Sequence, residues 1–192
     1  MALSRALSRP VWLVLLTLPL AAWWAVAVVN YRTPRIIQAH GAEQPRSIAQ
    51  LRSAATVVAI VTPTGKSSMH WNSADNEEWE GPASDGRQPL IVRDDEFAII
   101  RTIKGALDGD VITIRGAGGT VREVTYEYDG QTEWRAGVRY LVFLRQENTP
   151  TKEGFERMWT LVSVSQGSFA ELQDKFKNDR GLVTDADGVL GS

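Results

Sequence analysis

Val138-Arg139-Tyr140-Leu141-Val142-Phe143-Leu144-Arg145 is the stretch on which the fold turns. Its nearly unbroken apolar run is short for a helix and rich in aromatic and branched side chains, so it reads as a strand buried on both faces or crossing the middle of a barrel. Ala55 to Val61 (ATVVAIV) has the same character and stops at Thr62-Pro63-Thr64-Gly65, a turn signal. Further strands follow closely: Ile91-Val92 with Glu96 to Ile103 (EFAIIRTI), Asp110 to Arg115 (DVITIR), the alternating Val121 to Tyr128, and Met158 to Ser165 (MWTLVSVS). Gly116-Ala117-Gly118-Gly119 reads as a hairpin loop and Asp129-Gly130 as a tight turn. The pattern predicts a mainly β domain: a small antiparallel barrel of roughly five to six strands with one or two short helices.

Around these strands the signals are mixed. Pro45 to Arg52 has proline at a good first helical position and Ile48 three residues before Leu51, which predicts a turn or two of helix over one end of the core. Residues 168–180 fit two patterns. Ser168 and Glu171 have capping-box spacing with Phe169, Leu172 and Phe176 at helical intervals, while Phe169 to Leu172 suits a hairpin on Gly181-Leu182-Val183 equally well. Residues 66–90 are polar, with Gly81-Pro82 and Asp85-Gly86 as breakers, and predict an unusually long loop.

The amino end carries an address. Residues 11–29 (VWLVLLTLPLAAWWAVAVV) are nineteen positions without a charge, about 28 Å as a helix and close to the thickness of a bilayer core. Arg5 and Arg9 precede the stretch, and Trp12, Trp23, Trp24 and Tyr31 fall where interfacial aromatics lie. The expected organisation is a basic leader (1–10), a transmembrane signal-anchor (11–29), an extended juxtamembrane stem (30–44) and an extracytoplasmic β-barrel domain (45–192). The protein then sits in the cell membrane as a single-pass chain, amino terminus inside. Ala25-Val26-Ala27 has the small-x-small form of a cleavage site, and cutting there would yield a secreted domain instead.

Composition narrows the chemistry. The formal charge of −2, from 21 basic and 23 acidic residues, offers no basic face for nucleic acid. The absence of cysteine excludes disulfides, thiolate catalysis and cysteine-ligated metals. Two histidines, His40 and His70, are too few for a histidine-rich metal centre, and no cofactor is expected.

The series ATVVAIV (55–61), EFAIIRTIKG (96–105), VITIRGAGG (111–119), GVRYLVFL (137–144) and SQGSF (165–169) resembles the pattern of an uncharacterised group of exported bacterial domains. Those are in turn similar to the five-stranded OB barrel of the netrin-module and tissue-inhibitor-of-metalloproteinase families. The similarity covers about residues 50–170, and its most specific pieces are Ile103-Lys104-Gly105 and Gly137 through Leu144. The resemblance implies a fold rather than an activity. Metalloproteinase inhibitors of that fold place a free amino-terminal cysteine on the catalytic zinc; this chain has no cysteine, so that activity is not carried over.

Few side chains propose chemistry by themselves. Ser67, Ser68, His70 and Asp75 have the composition of a hydrolytic triad without the strand-turn-helix setting that exposes a strained serine. Asp75, Glu77, Glu78 and Glu80, with Asp94-Asp95-Glu96, read as a solvated acidic surface, with calcium as the alternative. Asp185-Ala186-Asp187-Gly188 reads as a turn, and Gly116 to Gly119 lacks the lysine and hydroxyl of a phosphate loop. Trp71, Trp79, Trp134 and Trp159 are candidates for a ligand-stacking or partner surface; of these Trp159 belongs to the core, while Trp71 and Trp79 stand in a polar stretch and either fold back on the barrel or meet a partner. The binding candidates are therefore Trp71, Glu77, Glu78, Trp79, Gly118 and Gly119, and no residue is singled out as catalytic or as a metal ligand.

Three functions follow, in this order. The first is a membrane-anchored, extracytoplasmic, non-catalytic binding module that contacts a protein, glycan or peptide through the 66–90 loop and the neighbouring glycine-rich turn. The second is an accessory subunit of a membrane assembly, its 11–29 helix packing on a partner through Ala21, Ala22, Ala25 and Ala27. The third is a carboxylate-dependent hydrolase.

Overall fold

The computed structural model describes residues 34–39, 43–44 and 46–191. The chain divides into two units, Met1–Arg35 and Ile36–Ser192, and the second carries the fold. The leader, the 11–29 stretch and much of the stem lie outside the described residues. Among the described residues no helix is long and apolar enough to cross a membrane.

The strands are β1 (Arg35–Ala39), β2 (Val57–Trp71), β3 (Ile91–Lys104), β4 (Val111–Ala117), β5 (Gly119–Val121), β6 (Val124–Tyr128), β7 (Tyr140–Thr151), β8 (Gly154–Leu161), β9 (Ser168–Leu172), β10 (Lys175–Lys177) and β11 (Val183–Thr184). Two short helices are α1 (Ile48–Ala54) and α2 (Gly188–Gly191). The larger sheet runs β11-β10-β9-β7-β2-β3-β4-β8, and β7 also pairs with β8, so β2-β3-β4-β8-β7 make a partly closed ring. Neighbours in the ring are antiparallel except β4 and β8, which meet in parallel at Ile114 opposite Trp159. A second sheet runs β1-β6-β5.

The two apolar runs lie at the centre because both of their faces are covered. Val57 pairs with Leu144 and Val61 with Tyr140, and every residue of both segments between those pairs is buried. On one face Val57, Ala59, Val61, Tyr140, Val142 and Leu144 pack with Phe97, Ile112 and Ile114. On the other, Val58, Ile60, Leu141 and Phe143 pack with Leu51 of α1 and with Phe169, Phe176 and Val189. A strand sealed on both sides has no polar face to alternate, hence the unbroken runs.

α1 is short but firmly ended. Ser47 Oγ accepts from the Gln50 N–H at 3.2 Å while Gln50 Oε1 accepts from the Ser47 N–H at 2.7 Å, a reciprocal N-terminal cap. At the other end Lys104 Nζ donates to the carbonyls of Arg52 and Ala55, where a cation suits the exposed carbonyl dipoles. Gly105 follows at φ +77°, and a Cβ there would stand 2.5 Å from Thr56 O. The Ile103-Lys104-Gly105 segment is thus a structural junction.

Several boundaries differ from those expected. β2 does not stop at Thr62 to Gly65: Pro63 opposes Phe97 and Ser67 opposes Asp95, so the intervening residues bulge and the strand resumes to Trp71. A bulge absorbs a proline and a left-handed glycine without ending the pairing; the loop therefore covers only 72–90. Ile91-Val92 and Glu96 to Ile103 are one strand, β3. Gly116 to Gly119 is not a hairpin, because β4 pairs with β3 whereas β5 pairs with β6, so Gly118 is a corner between sheets. Val121 to Tyr128 is two strands joined by Arg122-Glu123, with Val121 opposite Val124 and Arg122 at φ 54°. The tail is strand rather than helix, but with another partner than expected: β9 pairs with β10 through a turn at Gln173 and Asp174, both at positive φ, Val183 opposes Lys177 of β10 instead of β9, and Phe169 reaches the core beside Phe143, ring centroids 5.6 Å apart. Part of the 30–44 stretch is structured, since β1 joins the smaller sheet and Gln38 Nε2 donates to Glu127 Oε2 at 3.3 Å.

Candidate functional site

Asn72 is the pivot of the 72–90 loop. Its side chain, 2% exposed, donates from Nδ2 to Gln88 O (2.9 Å) and Pro150 O (3.2 Å), and accepts on Oδ1 from Trp79 Nε1 (3.1 Å) and Leu90 N (2.7 Å). Arg87 clamps the loop to the β7–β8 turn, donating to the carbonyls of Thr151, Lys152 and Gly154. Trp79 is drawn inward, and Trp71 packs with Ile91 and Val121. Glu77 is exposed and takes a two-pronged ion pair from Arg122, at 2.8 and 2.6 Å, while Glu78 is exposed. At Gly118, φ +104°, a Cβ would stand 2.7 Å from Gln131 Oε1; at Gly119, φ +127°, it would stand 2.8 Å from Met69 Sδ. The expected loop candidates are therefore not gathered on one exposed surface. The tryptophans are core, the glycines form the corner between sheets, and Glu77 ties the loop to the β5–β6 turn.

The serine and histidine candidates also separate. His70 Nδ1 lies 2.9 Å from Trp71 O and its Nε2 lies 3.2 Å from Asp94 Oδ2, so the ring is committed to those partners rather than to Ser67 or Ser68. Arg115, 7% exposed, donates to both Asp94 oxygens at 2.7 and 2.6 Å and to Glu156 Oε2 at 2.6 Å. Burial alone would raise the Asp94 carboxyl, but the hydrogen bonds and charges of Arg115 and His70 outweigh it and hold the group below its ordinary range. Among the described residues no three histidine or carboxylate side chains are disposed to hold a metal ion.

A cavity of about 210 Å³ is lined instead from β3, β4, β7, β8 and the 131–134 segment. Val92, Ile114, Trp134, Leu161 and Val162 supply its apolar lining. Trp134 is held edge-on by Phe97 and Tyr140, with centroids 4.8 and 4.9 Å away. The charged lining balances: Arg93, Arg115 and Arg145 against Glu43, Asp95 and Glu147. Arg93 Nε donates to Asp95 Oδ2 at 2.7 Å and its Nη2 to Thr132 O at 2.9 Å. Arg145 Nη2 meets Glu147 Oε1 at 2.5 Å, and Glu147 Oε2 accepts from Thr160 Oγ1 at 3.0 Å. Two donors in this lining, Arg145 Nε and Gln131 Nε2, are buried and have no hydrogen-bond partner among the described residues. A buried donor left unpaired costs about 1–3 kcal/mol, and both atoms are sealed from solvent. Wider depressions of about 580 and 730 Å³ have mainly polar and charged linings. Reading the strands alone misses Arg93, Gln131 and Arg145; the only hint is that two of them are charges beside apolar strand runs.

Glu43 borders the same cavity. Burial would push its carboxyl up, but the hydroxyls of Ser163 and Ser165 (both 2.6 Å) and the N–H groups of Val164 (2.7 Å) and Ser165 (3.1 Å) outweigh this, lowering it from 4.5 to about 2. The folded-state value lies below the unfolded one. The stabilisation is therefore present above 4.5 and is lost as pH falls from there towards 2. With solvent screening allowed for, Glu43→Gln is expected to cost about 1–2 kcal/mol at neutral pH, because its amide presents donors to donors. Urea unfolding at neutral pH and at about pH 3 checks this: the gap between the proteins should shrink on acidification.

No family model matches the chain, and no curated protein matches it.

Proposed function

We propose that this chain is a membrane-anchored, extracytoplasmic, non-catalytic binding module whose ligand site is the cavity between β3–β4 and β7–β8. The observation that carries this reading is a cavity of about 210 Å³ in which Val92, Ile114, Trp134, Leu161 and Val162 stand beside the paired charges of Arg93, Arg115 and Arg145. The carboxylates support binding over acid catalysis: Asp94 and Glu43 are held ionised, and an ionised carboxyl has no proton to donate near neutral pH. The pinned 72–90 loop acts as a wall, contributing Leu90 to the lining, rather than as a mobile contact surface. The uncharged 11–29 stretch and the thiol-free composition support anchoring and export. An OB-like reading of the barrel draws support from its five-stranded ring, in which β8 returns to lie beside β4.

The test fills the cavity without disturbing the backbone. Gly116 lines it, opposite Arg93, and a Cβ built there meets only Arg93 O, at 4.0 Å. Full-length protein in detergent is screened by ligand-observed NMR against single-ring fragments. Some should bind to the wild type and none to Gly116→Leu, with the melting temperature maintained. Fragments that bind both proteins alike, or neither, would overturn the assignment. Protease added outside intact cells should remove the β domain; a protected domain would overturn the topology.

A further inference from the structure

We propose that the Ser163-Val164-Ser165 turn is a binding site for a carboxylate group, and that Glu43 fills it as a tethered ligand, strapping residues 43–46 releasably to the barrel. Neither the nest nor the strap depends on the binding-module reading. Glu43 Oε2 accepts from Ser163 Oγ (2.6 Å), Ser165 Oγ (2.6 Å) and Ser165 N (3.1 Å), and its Oε1 accepts from Val164 N (2.7 Å). Three successive residues thus aim four donors at one carboxylate, an acceptor-only group able to use them all. Consecutive backbone N–H groups turned into one concavity are a recurrent way to hold an anion. The turn is closed without Glu43: Gln166 N and Gly167 N donate back to Ser163 O at 3.4 and 2.7 Å. A Cβ on Gly167 would stand 2.7 Å from that oxygen, so the tight return needs glycine. Arg180 Nη2, 3.5 Å from Ser165 Oγ, adds a cation beside the site.

The strap is attached through side chains. Beyond Glu43, the Gln166 amide, 1% exposed, accepts on Oε1 from Arg46 N (2.8 Å) and donates from Nε2 to Gln44 O (3.0 Å). No helix or strand includes Glu43, Gln44 or Arg46, so freeing them breaks no pairing in either sheet. Glu43 is only half-buried, and once its side chain leaves, a small carboxylate has access to the same donors. In the wild type the tether gives Glu43 a high effective concentration, which free carboxylates do not match. Without it the donors stand open. A doubly charged anion costs more to desolvate on entering a partly buried turn, so the site favours a single carboxylate.

The test removes the tethered ligand and supplies a free one. Full-length Glu43→Ala in detergent is titrated with formate, and with chloride and sulfate at matched ionic strength, while NMR follows the Val164 and Ser165 amide resonances. Formate should move both saturably in the variant, with half-saturation no lower than about 1 mM, the limit for so few atoms. It should leave the wild-type resonances in place, and sulfate and chloride should act more weakly than formate. Trypsin cleavage after Arg46, read by mass, should be about tenfold faster in the variant, with cleavage after the exposed Lys177 unchanged. Formate should not slow it, because it fills the nest without holding the strap. Formate shifts absent from the variant, or equal in the two proteins, would overturn the site. Sulfate or chloride matching formate would overturn carboxylate recognition, and cleavage after Arg46 as slow as in the wild type would overturn the strap. If Glu43→Ala does not fold, Ser165→Ala decides. It removes one hydroxyl donor and should speed cleavage after Arg46 about threefold; an unchanged rate would overturn the latch.

Discussion

Asn72→Ala should destabilise the domain by about 4 kcal/mol and free the 72–90 loop. The side chain is almost wholly enclosed and serves four partners: the Leu90 N–H, the Trp79 Nε1–H and the carbonyls of Gln88 and Pro150. Alanine leaves all of these without their side-chain partner at once. Orphaned buried groups cost about 1–3 kcal/mol each before relaxation, and a loop able to swing outward to water recovers part of the sum. Two backbone bonds, Asn72 N to Leu90 O and Lys152 N to Asn72 O, do not depend on the side chain and keep the loss below unfolding. Denaturant titration measures the loss, and limited proteolysis within 72–90 reports the released loop. A cost under about 1 kcal/mol would show that Arg87 holds the loop instead. Because Leu90 lines the cavity, the same variant should also bind ring-sized fragments more weakly.

Asp94→Ala is expected to cost about 3–5 kcal/mol, because it strands the Arg115 guanidinium in the fold rather than merely deleting a pair. Arg115 keeps Glu156, but that side chain is 52% exposed and meets only one nitrogen, so it cannot replace the two-pronged partner. Asp94→Ala/Arg115→Met should recover much of the loss, since a paired replacement leaves no buried charge uncompensated. The pH dependence follows from the lowered Asp94 carboxyl. Its contribution is complete above the ordinary 3.8 and disappears as pH falls below it, so the gap between wild type and Asp94→Ala should narrow in acid. A gap independent of pH would assign the loss to packing.

The central strands are legible because their burial is continuous. Residues 57–61 and 140–144 are apolar at every step, and no arrangement but a strand covered on both faces uses such short runs well. The bulge in β2 was not legible: proline and glycine look alike in a turn and in a bulge, and only the register against β3 distinguishes them. The corner at Gly118 and the Arg122-Glu123 turn were hidden for the same reason, since pairing partners lie far away in the chain. The loop tryptophans were legible as a choice, which Asn72 made for Trp79 and packing on Ile91 and Val121 made for Trp71.

By itself the amino-acid order determined a mainly β body, a thiol-free chemistry and an uncharged 11–29 stretch, because each is written in local composition and spacing. Only the tertiary structure decided which side chains line the cavity. Arg93 on β3, Arg145 on β7 and Gln131 between β6 and β7 stand in separate segments, yet line one cavity. Whether a buried donor finds a partner depends on where every neighbour comes to rest, and that is a property of packing rather than of sequence position.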